Sequence, residues 1–166
     1  QRINAQSIDL IGGATNFNVA DISNQGGDLV GSVTGSQTIS VTGAINVTGG
    51  SAADAFARIY SRSGAQTISA GSLTLLESGA GQVLIGNVFD PALASVAPGS
   101  TSIQTLSGHI AIGSGSIRSD SVVLNSSGAV TQLASGDIRT TSLSVDAQTG
   151  INLPGSNVLN SLAASN

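Results

Sequence analysis

The chain has 166 residues, a length that suits one domain with its own core, and a net charge of −4 with only 8% charged residues. Its five basic residues are arginines spread along the sequence, so they cannot form the basic surface that nucleic-acid binding requires. No run approaches the roughly 20 apolar residues of a membrane-spanning helix. A hydrophobic fraction of 40% excludes disorder, and the absence of Cys agrees with a secreted or surface protein without disulfides.

The first half of the chain repeats a two-strand unit. The segment "QTISVTGAINV" at 37–47 returns as "QTISAGSLTL" at 66–75, and we assign an earlier copy to 6–10 and a degenerate later copy to 104–107. Apolar residues alternate with small polar ones, which is the period of a β-strand. The isoleucines should point inward, the threonines outward, and the glutamines should form an amide ladder at a bend. In the two clear copies these residues are Gln37, Thr38 and Ile39, and Gln66, Thr67 and Ile68.

A third segment of each long repeat carries one aromatic residue, Phe17, Phe56 or Phe89. Apolar neighbours favour an inward core position for these rings over a sugar-stacking surface patch. The variable spacing between segments predicts loops at 28–35, 49–55 and 90–101. Specific contacts are expected there, because loops tolerate variation that the repeat does not.

The second half of the chain has a shorter and more regular period. Ile117 returns as Ile138 at an offset of 21, and Leu159 continues this column at the same step. A second column consists of Ile110, Val130 and Ile151. Two apolar columns with one period indicate stacked repeats, each made of several strands of three to six residues with Gly and Ser turns between them.

A chain that makes several short strands per repeat winds into a coil whose strands pair in parallel with those of the next coil. The sequence therefore predicts an all-β fold, a single right-handed parallel β-helix of roughly six to eight coils. We expect one domain over 1–166, with long, looped coils in 1–107 and coils of about 20–22 residues in 108–166. The absence of an initiator Met or signal segment suggests a fragment of a longer repeat protein.

The repeated unit resembles the repeat region of filamentous-haemagglutinin-like exoproteins. The resemblance rests on Gln-Thr-Ile-Ser, on the following Gly-x-Ile/Leu-x-Val/Leu and Phe-Ala-x-Ile, and on "TGINLPGSN" at 149–157. It implies a secreted bacterial β-helix shaft, exported through the outer-membrane transporter of a two-partner secretion system. The family's uses imply adhesion, biofilm structure or toxin display, and no functional residue of the family maps onto a position of this chain.

Parallel β-helices also include polysaccharide lyases and hydrolases, whose chemistry needs two carboxylates facing one groove. Asp120 and Asp137 are 17 residues apart, less than one coil, so they should lie on different parts of the wall. One coil from Asp120 stands Thr141, and one coil before Asp146 stands Asn125. The sequence therefore predicts no catalytic, cofactor-binding or metal-binding residues, and no enzyme activity.

Four weaker motifs have a simple structural interpretation. Arg118 and Arg139 should stack one coil apart, either as an anion contact or, as we favour, as a solvated pair beside Asp120 and Asp137. His109 stands alone, which favours a turn over a metal site. "GGDL" at 26–29 is an isolated piece of a calcium nonapeptide, for which a plain turn is favoured. Thr38, Thr67 and Thr105 form a column that is too irregular for ice binding.

The expected function is a structural or adhesive shaft segment of a secreted or cell-surface bacterial protein. The apolar Leu162 and Ala163 suggest that the ends contact further repeats or another copy, as in a filament. A host receptor or cell-surface glycan is a candidate partner, whereas nucleic acid and a transmembrane segment are not expected. Two alternatives stay open, a carbohydrate-active β-helix enzyme and a passive stalk that carries a terminal toxin or binding domain.

Overall fold

The computed structural model describes residues 1–24, 35–62, 64–87 and 99–166, and the regular structure in these ranges is all β-strand. In chain order the strands are β1 (Arg2–Ala5), β2 (Ile8–Ile11), β3 (Ala20–Asn24), β4 (Gln37–Val41), β5 (Ala44–Thr48), β6 (Ala57–Ser61), β7 (Ala65–Ala70), β8 (Ser72–Leu76), β9 (Val83–Gly86), β10 (Ser100–Thr105), β11 (Ile110–Ile112), β12 (Ser116–Arg118), β13 (Ser121–Ser126), β14 (Ala129–Gln132), β15 (Asp137–Arg139), β16 (Ser142–Ala147), β17 (Gly150–Asn152) and β18 (Ser161–Ser165).

The strands form three parallel sheets that the chain visits in turn. Sheet A has the order β1-β4-β7-β10-β13-β16-β18, sheet B the order β2-β5-β8-β11-β14-β17, and sheet C the order β3-β6-β9-β12-β15. The strands of each sheet therefore pair with their counterparts one coil later, which confirms the predicted parallel β-helix. Within the described ranges, no helix is long and apolar enough to cross a membrane.

The coils are long in the first half of the chain and short in the second. Steps along one column of sheet A are 36, 29 and 35 residues, followed by 21, 21 and 19. That column consists of Arg2, Thr38, Thr67, Ser102, Val123, Ser144 and Ala163. The extra length of the first and third coils falls between β3 and β4 and between β9 and β10.

The core consists of aliphatic columns, one or two from each sheet, that run through successive coils. Burying each of these side chains contributes about 1.5–3 kcal/mol, so the stacking of one coil on the next provides most of the stability. The best-filled columns are Ile39, Ile68, Ile103, Leu124 and Val145 in sheet A, Ile45, Leu73, Ile110 and Val130 in sheet B, and Ile59, Ile85, Ile117 and Ile138 in sheet C.

The two columns predicted in the second half are largely confirmed. Val130 pairs with Ile151 as well as with Ile110, and Ile117 pairs with Ile138. The position predicted for Leu159 is wrong by two residues, because an isolated bridge joins Arg139 to Val158 and shortens that step to 19. The side chain of Leu159 still packs against the core.

The repeated glutamines form the predicted amide ladder at the corner between sheets C and A. Gln66 Nε2 donates to Gln37 Oε1 at 2.7 Å and to the carbonyl oxygen of Ile59 at 3.1 Å. Gln37 Nε2 in turn donates to Gln1 Oε1 at 2.6 Å, and Thr101 Oγ1 donates to Gln66 Oε1 at 3.3 Å. An amide can satisfy one neighbour as donor and the other as acceptor, so it can be buried at each level of the stack.

Two of the predicted copies of this unit are wrong. The first copy is 1–5 rather than 6–10, since Ile3 pairs with Ile39 whereas Ile8 belongs to sheet B and pairs with Ile45. The later copy is not 104–107, because the residue that continues the isoleucine column is Ile103. In both places Gln recurs away from the corner between sheets C and A, at Gln6 between β1 and β2 and at Gln104 within β10, and the alternation of buried residues sets the register instead.

Replacing Gln66 by Ala should destabilise the fold by about 2–4 kcal/mol, because the change removes the ladder bonds and leaves a buried cavity. Chemical denaturation of the purified chain measures this difference. Gln104→Ala is the matched control, since Gln104 is exposed and its side chain has no hydrogen bond within the described residues. Its effect should stay within about 0.5 kcal/mol, and equal losses in the two variants would contradict a stabilising ladder.

Candidate functional site

The outer face of sheet C carries the densest group of charges in the described part of the chain. The charges lie in two neighbouring columns. One column includes Asp21, Arg58 and Asp137, and the other includes Arg118 and Arg139. These charges come from coils that lie far apart in sequence. The resulting surface is the first candidate for a functional site.

Arg58 is fixed by an ion pair and by two rings. Its Nε and Nη2 donate to the two carboxylate oxygens of Asp21 at 2.8 and 2.7 Å. Its guanidinium carbon lies 5.4 Å from the ring centre of Phe56 and 5.3 Å from that of Tyr60, within the range of cation–π attraction. Because Arg58 is only 6% exposed, this arrangement holds the wall together rather than presenting a free cation.

Asp137 bridges the stacked arginines. Arg139 Nε donates to Asp137 Oδ2 at 2.7 Å, Arg118 Nη2 lies 3.3 Å from the same oxygen, and Ser116 donates to Oδ1. The predicted stacking of Arg118 on Arg139 is confirmed. The prediction that both arginines are solvated is wrong for Arg118, which is only 6% exposed. Asp137 is the acid that contacts both arginines, while Asp120 accepts a hydrogen bond from Thr141.

The environment of Asp137 favours its ionised form. Burial alone would raise the pKa of this carboxyl, but the hydrogen bond from Ser116 and the charges of Arg139 and Arg118 outweigh burial and lower the pKa below its usual value. Glu77 behaves in the opposite way, since burial and the charge of Asp137 raise its pKa above the usual value. Asp137 therefore stabilises the fold when ionised.

The described acids do not form facing pairs in adjacent coils. Asp120 accepts a hydrogen bond from Thr141 Oγ1 at 2.6 Å, and Asp146 stands opposite Asn125 as predicted. Asp9 accepts from Asn46 Nδ2 at 2.7 Å. Among the described residues, no group of three or more His, Asp or Glu side chains could hold a metal ion.

The aromatic residues do not occupy the core as predicted. Phe17 is 79% exposed and has a φ of 65°, a left-handed conformation that is rare for a bulky residue. Phe56 packs on the outside of sheet C against Arg58, and Phe89 lies outside the described residues. A bend in the chain before β3 and before β6 explains the error, because the period-two alternation does not continue across it.

The remaining candidates are turn or wall residues. His109 is exposed, and its Nδ1 accepts a hydrogen bond from the backbone N of Ala129 at 2.9 Å, which agrees with a turn position. Thr38 pairs with Thr67, but the column continues as Ser102, while Thr105 is buried; the three-threonine column is therefore wrong.

Of the predicted loops, 49–55 is described as a turn closed by a hydrogen bond from Gly50 N to the carbonyl oxygen of Ala55 at 2.8 Å. The predicted loops at 28–35 and 90–101 and the calcium-like segment at 26–29 lie mainly or wholly outside the described residues.

A second candidate site is a polar groove that the sequence did not single out, at the corner where sheet A turns into sheet B. This cavity of about 340 Å³, which we call the amide groove, is lined by Gln104, Leu106, Asn125, Ser127, Asp146 and Gln148. Its floor is rigid, because Thr105 Oγ1 donates to Ser126 Oγ at 2.9 Å. The spacing in the sequence places Asn125 one coil before Asp146, but it shows only that Asp146 has no acidic partner there.

Comparison of the chain with family models, curated proteins and solved structures gives no match. The arguments about function therefore depend on the residues and the geometry described above.

Replacing Asp137 by Asn should reduce stability by about 2 kcal/mol at pH 7, because the charge that bridges two guanidinium groups is lost. The pKa of Asp137 is lowered in the folded chain. The stability that ionised Asp137 contributes is therefore complete above the usual pKa of a carboxyl, about pH 4, and is lost as the pH falls through the lowered pKa of the folded chain. Thermal melts between pH 7 and pH 2 should converge for wild type and variant at the acid end. Asp120→Asn is the control, and the same pH-dependent difference in that variant would contradict the role of Asp137.

Proposed function

We propose that the chain is a structural or adhesive shaft segment of a secreted or cell-surface bacterial protein, of the kind that filamentous-haemagglutinin-like exoproteins contain. The proposal rests on one observation, the uninterrupted column Ile39, Ile68, Ile103, Leu124 and Val145, which carries one core through five successive coils. Such a stack extends by about 4.8 Å with each added coil, and its stability comes from neighbouring coils.

The polar side chains support the same proposal. Amides and hydroxyls at the corners bond to the next coil, as with Gln37 and Gln66, or with Gln132 and Asn157, which exchange two hydrogen bonds at 2.9 and 3.0 Å. Several of the described acids are placed beside a donor in a neighbouring coil, as Asp9 is beside Asn46, Asp21 beside Arg58 and Asp120 beside Thr141. These bonds stabilise a long stack of coils rather than supporting acid–base chemistry. We therefore propose that the chain is not an enzyme.

A coil deletion tests the shaft. Removing residues 122–142 joins Ser121 to Leu143, and because Ser121 pairs with Ser142 and Val122 with Leu143, the remaining coils stay in register. We expect a folded, slightly shorter chain that still unfolds in one cooperative transition, since a shaft does not depend on any single coil. Circular dichroism and small-angle scattering measure the outcome.

The matched control removes only 122–131, which breaks the register and should abolish folding. Fractionation of producing cells tests the location of the parent protein, which should be recovered outside the cell. Recovery in the cytoplasm alone, or a register-preserving deletion that unfolds, would contradict the proposal. Cleavage of polyuronates by the intact chain would favour the enzyme instead.

A further inference from the structure

The amide groove runs along the helix axis rather than along a strand. Gln104, Asn125 and Asp146 stand opposite one another on β10, β13 and β16, with about 4.8 Å between neighbours. A second cavity of about 300 Å³ shares Asn125 and Asp146 and continues past Ser165 on β18. The two cavities together form a cleft that crosses four coils, a shape that suits an elongated ligand.

The groups that line the cleft are available for binding. The side chains of Gln104, Asn125 and Gln148 make no hydrogen bond within the described residues, in contrast to the paired amides of the corners. Each amide offers both donors and acceptors to a ligand in the cleft.

The backbone of the cleft limits what the ligand can be. The N–H and C=O groups of β10, β13 and β16 pair with strands on both sides, so an extended peptide lying across these three strands could not add to the sheet. Recognition must therefore come from side-chain amides and hydroxyls. A ligand that presents hydroxyl groups at regular intervals matches them.

Charge and apolar contact narrow the ligand class further. Asp146 is the only charged residue among those that line the two cavities, so a polyanion would meet a carboxylate with no cation to offset it. The side chain of Leu106 is 59% exposed at the edge of the groove and offers an apolar contact to the face of a sugar ring. The bonded hydroxyls of Thr105 and Ser126 hold this surface in place before a ligand arrives.

We propose that the amide groove binds a neutral oligosaccharide that lies along the helix axis across several coils. This site goes beyond the shaft, which can fold and extend whether or not the groove is occupied. Failure of glycan binding would therefore leave the coil-deletion result unchanged, and the two proposals can fail separately.

Titration of the intact chain with neutral hexasaccharides (gluco-, manno- and N-acetylglucosamine series) and with a hexagalacturonate, followed by NMR or calorimetry, tests the site. We expect saturable binding of at least one neutral hexasaccharide and none of the uronate. Asn125→Ala should weaken that binding by about fivefold or more, the value of one hydrogen bond. Asn152→Ala, an exposed Asn on the outer face of sheet B, should leave the binding unchanged.

A second variant separates binding from folding. Gln148→Ala removes an exposed side chain that lines the groove and has no hydrogen bond within the described structure, so the variant should melt at about the same temperature while binding the hexasaccharide more weakly. Absence of binding to every neutral hexasaccharide would overturn the proposal, and so would equal losses in Asn125→Ala and Asn152→Ala. Binding of the uronate as tightly as the neutral sugars would overturn the charge argument.

Discussion

The register of parallel strands is the constraint on which the rest of this structure depends. Each side chain meets, about 4.8 Å away, the side chain at the same position of the next coil. Aliphatic residues gain from such a neighbour, and amides and hydroxyls can act as donor to one neighbour and acceptor to the other. This explains why Gln37 and Gln66 can be fully buried at a corner, and why a chain with so few charged residues is rich in Ser, Thr, Asn and Gln.

The charges on sheet C fit this register because an opposite charge lies beside each of them. Arg58 has Asp21 beside it, and the like-charged neighbours Arg118 and Arg139 are bridged by Asp137. Asp9, Asp21 and Asp146 each stand opposite a residue of an adjacent coil that is not an acid. Glycoside hydrolysis needs two carboxylates that face one groove, and for this reason we propose a shaft rather than an enzyme of that kind.

The sequence predicted the features that depend on period and the glutamine ladder at one corner, but it misplaced two further copies of the repeat and Phe17. The columns through Ile117 and Val130 follow from spacing alone, because every coil in the second half has nearly the same length. The copies at 6–10 and 104–107 were misplaced because Gln6 lies in the turn between β1 and β2 and Gln104 lies within β10, so the letter Gln alone does not mark the corner that holds the ladder. Phe17 was misplaced because the alternation of buried and exposed residues ends where the chain bends.

The amide groove could not be predicted from the sequence either. Whether a side-chain amide is hydrogen-bonded within the wall depends on the residue that stands one coil away from it. Gln37 and Gln66 have equal length, and their amides meet. Asn125 stands between Gln104 and Asp146 without a hydrogen bond to either, and the carboxylate of Asp146 accepts from Ser165 Oγ at 2.8 Å instead. This column thus leaves the amides of Gln104 and Asn125 without partners among the described residues. Because these amides do not take part in bonds between coils, they can bind another molecule without weakening the stack.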